Sequence, residues 1–381
     1  MELHPPDAVL QPEEITLNDD VLTEILLHVP PKSILRARAV SKHWRHIATR
    51  PCFLAAYALR RPPEIVAIFR LDQGDEKSST NSKYNKIKKA VCAIPFDDDL
   101  EGRPLLYYDP TTMLFRGFCD GLLLFNRGCD SLVIWNPATR QVAPLPSPPM
   151  ASSRASVSPF GFYYHRPSGR YRVLCHVVDI PADHTANYIL STGAAEPRRL
   201  GDIMPDGVLR ESSAVTLHES LHWLIHPPKS CNPDKMVAFD TVPEKFRTMA
   251  PPPVPAADNV MYGKPHLFEM NGVLAVSAMR DVPHMEVWTL EDYSQERWAW
   301  CLRISIPQTR SIIVSPFTAS ALGVLEGNML VVEHNGMVML HGMVGKRKRR
   351  MVDISTMGNI SIVWRQGIYT ESLVPLTPSP S

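Results

Sequence analysis

The sequence predicts an α+β multidomain protein: a small N-terminal unit of three helices, then a large all-β domain built as a β-propeller of about six blades. Three observations carry this reading. Helical periodicity is confined to the stretch between Leu17 and Ile47. Beyond Arg61, and most regularly from about Leu105 onward, short apolar runs alternate with turn signals, giving some 24 strand-sized segments over about 320 residues. Proline, at 36 of 381 residues, sits mostly in turn-like settings such as "NPATRQ", "LPSPP", "HPPK" and "APPPVP", where it separates strands rather than interrupting them.

Composition narrows the class. A hydrophobic content of 44% with 21% charged residues is ordinary for a soluble globular protein. The net charge of +1 gives no global reason to expect nucleic acid or membrane as a partner. No run approaches the roughly 20 apolar residues that span a bilayer. The leading "MELHPPDAVLQPEE" lacks the basic region and apolar core of a secretory signal. Seven cysteines (Cys52, Cys92, Cys119, Cys129, Cys175, Cys231 and Cys301) are scattered, odd in number and form no C-x-x-C pair. That pattern predicts reduced thiols and a cytoplasmic and/or nuclear protein.

The helical unit reads over residues 13–61, behind a disordered start at 1–12. Asn18 is placed to cap the first helix, and Asp19 and Asp20 put negative charge where the helix dipole favours it. At about 100° per residue, Val21, Leu22, Ile25, Leu26 and Val29 share one face, opposite Thr23, Glu24 and His28. Pro30 and Pro31 stop this helix, and Pro31 opens a second that runs through Leu35. Ser41 caps a third, with Val40, Trp44 and Ile47 spaced to line up. About 40 residues rarely build a self-sufficient core, so this unit calls for another surface. That surface is either another protein or the remainder of this chain.

The stretch "LNDDVLTEILLHVPPKSILRARAVSKHWRHIATRPCFLAAYALRR" resembles an F-box. The family pattern is Leu-Pro-x-Asp-Leu, a hydrophobic helix, Leu-Pro-Pro, Leu, then Val-Cys-Lys-x-Trp-Arg. The chain matches it at Leu17, Asp20, Ile25, Leu26, Pro30, Pro31, Leu35, Val40, Lys42, Trp44 and Arg45, and departs at Asn18, Val21, Val29 and Ser41. The resemblance implies docking onto the Skp-type adaptor of cullin-based ubiquitin ligases. The positions it implicates are Leu17, Asp20, Val21, Ile25, Leu26, Pro30, Pro31, Leu35, Val40 and Trp44, some touching the adaptor and some holding the helical fold.

Residues 62–104 read as one strand, "EIVAIFR", and a polar stretch, "DQGDEKSSTNSKYNKIKK", that lead into a β domain at 105–371; a disordered tail follows at 372–381. Within the β domain one element recurs: an apolar strand ending in an aromatic, a turn rich in Asn, Asp, Pro, Thr or Gly, and a polar return strand. It is read around Trp135-Asn136-Pro137, Tyr164-His165-Arg166-Pro167, Phe239-Asp240-Thr241 and Trp288-Thr289. Irregular spacing makes this a degenerate repeat, which suits radial four-stranded blades; a large β-sandwich or two stacked sheets is the competing architecture. The segments "GFCDGLLLF", "VIWNPATRQVAPLP", "GFYYHRPSGRYRVL", "ESLHWLIH", "MVAFDTVPEKFRTMAPPP" and "MEVWTLEDYSQERWAW" resemble, in order, the F-box-associated domain of plant F-box proteins.

Several motifs invite other chemistry. "HESLH", His218 to His222, matches the H-E-x-x-H zinc-protease signature, which needs both histidines on one helical face. Here "SAVTLHESLHWLIHPP" reads instead as a strand to Leu217, a turn at His218-Glu219-Ser220 and a second strand through Ile225. His222 and His226 fall on one side of that strand and read as a surface or loop-side cluster. "GKRKRR", Gly345 to Arg350, reads as a basic hairpin turn or a nuclear localisation signal. Thr377-Pro378 and Ser379-Pro380 offer phosphorylation points in the tail. No Gly-rich phosphate loop and no G-x-S-x-G occurs, so no catalytic residue, cofactor or metal is predicted.

The expected function is therefore a non-catalytic, substrate-recognition subunit of a Skp–cullin–F-box ubiquitin ligase. The helical unit would hold the Skp-type adaptor, and through it the cullin and RING subunit, while the β domain binds a target protein. The alternatives are an F-box interaction protein that acts without target ubiquitylation, and a β-propeller enzyme.

Overall fold

The computed structural model describes residues 18–71, 88–96, 102–150, 155–179, 184–201, 214–226, 233–254, 264–281, 283–306, 319–325, 328–334, 337–343, 350–353 and 360–376, with Ser152, Pro205 and Val208. Leu17, the leading segment 1–12, the polar stretch 72–87, most of "GKRKRR" and the Thr377 and Ser379 sites lie outside these residues. The chain divides into two compact units, Met1–Arg61 and Pro62–Ser381.

The first unit is helical. Helix α1 (Asp19–His28) starts where the Asn18 side chain accepts the Val21 N–H at 2.8 Å, and ends before the two prolines. Helix α2 (Pro31–Val40) has Pro31 in its first turn, where the missing N–H costs nothing. Helix α3 (Lys42–Thr49) is capped by Ser41, whose hydroxyl accepts the Trp44 N–H at 3.3 Å. The three expected helices are thus present, and a fourth, α4 (Pro51–Leu59), follows. This fourth helix completes the core: Phe53 and Tyr57 join Leu22, Leu26, Leu27, Ile34, Ala37, Ile47 and Ala48 in the interior. It also satisfies the open end of α1, because Tyr57 Oη donates to the Val29 carbonyl (3.1 Å) and Arg61 to the Leu27 carbonyl (3.0 Å).

Two expectations within this unit change. The second helix does not stop at Leu35; no breaker intervenes before Ser41, so it continues to Val40. Val40, Trp44 and Ile47 do not form one stripe, since Val40 closes α2 and the extended Ser41 separates it from α3. Ile47 is buried, whereas Val40 points to solvent.

The second unit is a ring of six four-stranded antiparallel sheets, as expected of a β-propeller. Blade one takes β1 (Glu64–Leu71), β2 (Lys88–Pro95) and β3 (Arg103–Tyr108); blade two takes β4 (Met113–Cys119), β5 (Leu122–Arg127), β6 (Ser131–Asn136) and β7 (Gln141–Pro144). Blade three takes β8 (Ser156–His165), β9 (Arg170–Asp179), β10 (His184–Ser191) and β11 (Arg198–Arg199). Blade four takes β12 (Val215–Leu217), β13 (Ser220–Ile225), β14 (Lys235–Asp240) and β15 (Lys245–Met249). Blade five takes β16 (His266–Met270), β17 (Val273–Asp281), β18 (His284–Asp292) and β19 (Arg297–Ser305). Blade six takes β20 (Ala319–Leu325), β21 (Met329–His334), β22 (Met337–Gly342) and β23 (Arg350–Asp353). The last strand, β24 (Ile360–Tyr369), returns to blade one and pairs with β1 from Glu64↔Tyr369 to Leu71↔Ile360.

The run 62–104, read from sequence as a lead-in, therefore supplies strands of the first blade. Residues 372–376, read as part of a disordered tail, are instead laid against blade two. Leu373 and Leu376 are buried there, and Leu376 N donates to Gln141 at 3.1 Å.

Each neighbouring pair of blades shares its own apolar core, as period-2 alternation on twisted sheets requires. Leu124 and Ile134 meet Val173 and Leu190 between blades two and three, and Phe160 and Tyr163 meet Trp223 and Phe239 between three and four. Ile65 and Ala67 meet Val331 and Val338 between one and six, which closes the ring. On innermost strands, glycines let the next blade approach. A Cβ on Gly161 would lie 2.7 Å from the Leu221 side chain, and one on Gly367 only 2.4 Å from the Phe118 ring.

The degenerate repeat has a definite geometry. In blades two, four and five the third strand ends on an Asx residue whose side chain accepts turn N–H groups: Asn136 from Ala138, Asp240 from Val242, and Asp292 from Ser294 and Gln295. Four residues later the chain enters the left-handed region, at Arg140, Glu244 and Glu296. The element read at Trp288-Thr289 belongs here, but its turn lies at 293–296, because Asp292 and not Thr289 supplies the turn-forming carboxylate.

Two of these left-handed glutamates reach back to the preceding blade. Glu244 accepts from Arg172 and Arg198 and, at 3.0 Å, from Tyr163, all in blade three. Glu296 accepts from Arg247 of blade four (3.1 Å) and from Ala250 N just after it (2.6 Å).

Candidate functional site

The helical unit sorts the expected docking residues into two groups. Leu26 is 3% exposed and belongs to the core. Val21 (44%), Ile25 (47%), Val40 (78%) and Trp44 (37%) carry large apolar surface into solvent. Asp20 and Pro30 are exposed, Pro31 and Leu35 half-buried. The α1 stripe read as one apolar face is therefore split lengthwise, with Leu22 and Leu26 turned inward and Val21 and Ile25 outward, while Leu27, outside that stripe, is buried as well. Val21 and Ile25 stand one turn apart on the outer side of α1, and exposed apolar side chains grouped in this way, unlike isolated ones, call for an explanation.

The charges around these residues are segregated. Asp19 pairs with His43 (3.0 Å) and Arg50 (3.2 Å), and Glu24 with Arg60 (2.8 Å), whose guanidinium holds the Glu24 carboxyl below its ordinary value. From Ile25 to Pro63 the sequence contains no Asp or Glu. Arg38 and Arg45 are used internally, donating to Ala48 O (2.6 Å) and Arg38 O (2.7 Å). Lys32, Arg36 and Lys42 are exposed and have no carboxylate partner among the described residues. The sequence reading named Lys42 only as a match to the family pattern and passed over Lys32, Arg36 and Leu59, which is 87% exposed at the end of α4. A count of carboxylates along 25–63 would have flagged the cations.

The "HESLH" segment folds as the sequence reading expects, into a hairpin. His218 and Glu219 sit at positive φ (49° and 57°) between β12 and β13, so the two histidines share no helical face. The surface-cluster reading of His222 and His226 is corrected: both are buried, His222 because every residue of β13 is packed and His226 directly after the strand's end. The His222 Nδ1–H donates to the Val215 carbonyl (3.2 Å), which leaves Nε2 to accept the Tyr293 hydroxyl (2.7 Å). Burial pushes the His222 imidazole down to about 4. This neutral, doubly bonded ring joins blade four to blade five. Among the described residues no group of His, Cys, Asp or Glu is arranged to hold a metal.

The two ends of the ring differ. Connections at one end are short, tight at 120–121, 137–140, 218–219, 241–244, 271–272 and 293–296 and no longer than seven residues at 96–102 and 343–349. The long connections 72–87, 145–155, 200–214, 250–265 and 306–318 all join strand ends at the opposite end. Rigid blades that present long connections on one end are the usual arrangement for binding by loops.

Comparison with known proteins agrees with this two-part architecture. The model of the F-box domain matches residues 15–55, and that of the F-box associated beta propeller domain matches residues 95–376. An Arabidopsis thaliana protein named provisionally as an F-box protein is 28% identical over 182 residues, 46% of this chain and 44% of that protein's own length. An F-box/kelch-repeat protein of the same plant is 24% identical over 328 residues, covering 80% of this chain and 84% of that protein. A solved structure described as the Dos1 propeller covers 72% of this chain and 67% of its own at 10% identity, with a TM-score of 0.35, too low to add to the assignment.

Proposed function

This chain belongs to the F-box proteins that carry an F-box-associated β-propeller domain, and from that premise we propose that it is the substrate-recognition subunit of a Skp–cullin–F-box ubiquitin ligase. The observation that carries the proposal is the outward placement of Val21, Ile25, Val40 and Trp44 on a helical unit whose core is already filled by Leu22, Leu26, Ile34, Ile47, Phe53 and Tyr57. Those four residues are the adaptor contacts; Leu26 serves the fold. Leu17, Asp20, Pro30, Pro31 and Leu35 complete the assigned set, Pro30 and Pro31 by fixing the entry of α2. Cullin and RING subunits join through the adaptor.

The propeller holds the target protein by the end that bears the long connections. Its contribution to ubiquitin transfer is proximity, since the reacting groups belong to the conjugating enzyme and the target. No side chain of this chain takes part in the chemistry.

The test is co-purification of the full chain with a recombinant Skp-type adaptor. The wild-type protein retains the adaptor, and the double variant Ile25→Asp, Trp44→Ala loses it while keeping its helical content. Failure of the wild type to retain any such adaptor overturns the proposal. Ubiquitin transfer to a co-purified target, lost in the same double variant, separates a ligase subunit from an F-box interaction protein.

A further inference from the structure

We propose that the adaptor surface this chain selects is rimmed by carboxylates, and that the cations of α2 and α3 steer it onto the exposed apolar side chains of the same two helices, Val40 and Trp44. The inference rests on the adaptor-docking reading given above and adds the chemistry of the partner.

Lys32, Arg36 and Val40 follow one another at four-residue spacing along the exposed side of α2, so they share one face. Lys42 opens α3 directly beyond Val40, and exposed Arg45 adjoins Trp44. All three carboxylates of the described helical unit lie on α1, and two of them are matched to Arg50 and Arg60. These cations therefore stand in a stretch of 25–63 with no compensating acid, although the whole chain carries only +1. Clustered like charge on one face raises the potential there and attracts an oppositely charged partner at a distance.

The exposed apolar side chains decide between classes of partner. Val40 is 78% exposed, and the half-covered indole of Trp44 lies at the start of the next helix. A phosphate backbone offers no surface that would bury them. A protein groove with apolar walls and an acidic rim satisfies both the apolar side chains and the cations, the arrangement common at specific interfaces.

The experiment measures association of the purified full chain with a Skp-type adaptor by surface plasmon resonance at 50 and 500 mM NaCl. Exposed charges are screened over about 10 Å at 0.1 M salt, so the wild-type association rate is expected to fall about tenfold across this range. The double variant Lys32→Glu, Arg36→Glu is expected to lose about tenfold at 50 mM and to approach the wild type at 500 mM. A glutamate in the first turn of α2 suits the helix dipole, so this variant keeps its fold, verified by circular dichroism. Lys245→Glu, an equal charge change per site on the propeller, leaves the rate within about twofold, as a site outside the helical unit must. Val40→Asp weakens binding at both salt concentrations.

Retained binding with a salt-independent rate, unchanged in the double variant, overturns the inference and leaves the docking reading standing. Absence of adaptor binding at either salt concentration overturns the docking reading itself. Binding of a 20-nucleotide single-stranded RNA or DNA probe that the double variant abolishes, with adaptor association unaffected, assigns these cations to nucleic acid and also overturns the inference.

Discussion

Asn136 holds the C-terminal segment in place through Ser372: its Nδ2 donates to the Ser372 carbonyl at 3.1 Å and to that of Val374 at 2.9 Å. Its Oδ1 meanwhile accepts the Ala138 N–H at 2.9 Å and the Thr139 N–H at 3.2 Å. A fully buried amide thus has every hydrogen bond satisfied and joins two segments 236 residues apart. Asn136→Asp replaces the donor with a carboxylate that faces two carbonyls. It is expected to cost about 3 kcal/mol, read as a lower midpoint in thermal unfolding of the full chain. A midpoint unchanged from wild type would mean that the Asn136 tether to 372–374 adds nothing to stability.

Glu244 is expected to behave as a bolt between blades three and four. Glu244→Gln leaves Arg172, largely buried, without its carboxylate and weakens the contact to half-exposed Arg198. The expected loss is about 2 kcal/mol, below the range for a wholly buried pair because Arg198 is solvated. Chemical denaturation measures it, and equal stability of the two proteins would count the cluster as decoration.

Acidification should weaken the propeller through His222. Its folded value of about 4 lies below the ordinary 6.5, so the fold prefers the neutral ring and the unfolded chain takes up the proton more readily. The stabilisation is complete above about pH 6.5 and is lost progressively as pH falls toward 4, amounting to about 3 kcal/mol. Burial also holds His165 and His266 below their ordinary value, so they add to the same slope. In His222→Gln the unfolding free energy between pH 7 and 4 should change less steeply than in wild type; identical slopes would contradict this role.

The close approach of blades one and two is tested at Gly367. An added methyl meets the Phe118 ring at 2.4 Å, so Gly367→Ala must displace an aromatic that packs edge-on against Tyr369. Overpacking of this kind costs about 1–3 kcal/mol. Gly117→Ala, whose methyl would meet nothing within 4 Å, serves as the matched control.

Leu26 and Ile25 should separate fold from docking. Leu26→Ala opens a cavity in the helical core and is expected to destabilise that unit by about 3 kcal/mol, seen as faster proteolysis within residues 18–61. Ile25→Asp sits at an exposed position, so it should leave proteolysis unchanged and reduce adaptor retention.

The first three helices were legible because their signals are local: Asn18 and Ser41 as caps, and Pro31 at an entry. Helix α4 was not, because "PCFLAAYAL" is apolar nearly all round and shows no amphipathic period. Within α1, a stripe wide enough to hold Val21 and Leu26 cannot reveal which edge faces the core, since that depends on where Phe53 and Tyr57 come to rest. The figure of about six blades came from counting strand-sized segments, and the six sheets agree with it. The pairing of Glu64 with Tyr369 did not come this way, since nothing local links residues so far apart. A subtler signal went unread: Gly117-Phe118, Gly161-Phe162, Gly323-Val324 and Gly367-Ile368 mark the innermost strands of four blades more regularly than the turns do.

The return of β24 to blade one has a consequence for synthesis of the protein. Three strands of the first blade leave the ribosome early, yet their innermost neighbour is made only after the other five blades. The open edge of β1 must wait, unpaired, through translation of almost three hundred residues, and nascent chains with long unpaired edges are prone to wrong pairing. The helical unit, made before any blade and stitched by caps and nearby contacts, has no such delay. A ribosome that stalls before residue 360 would therefore release a chain whose helical unit is complete while its ring is still open.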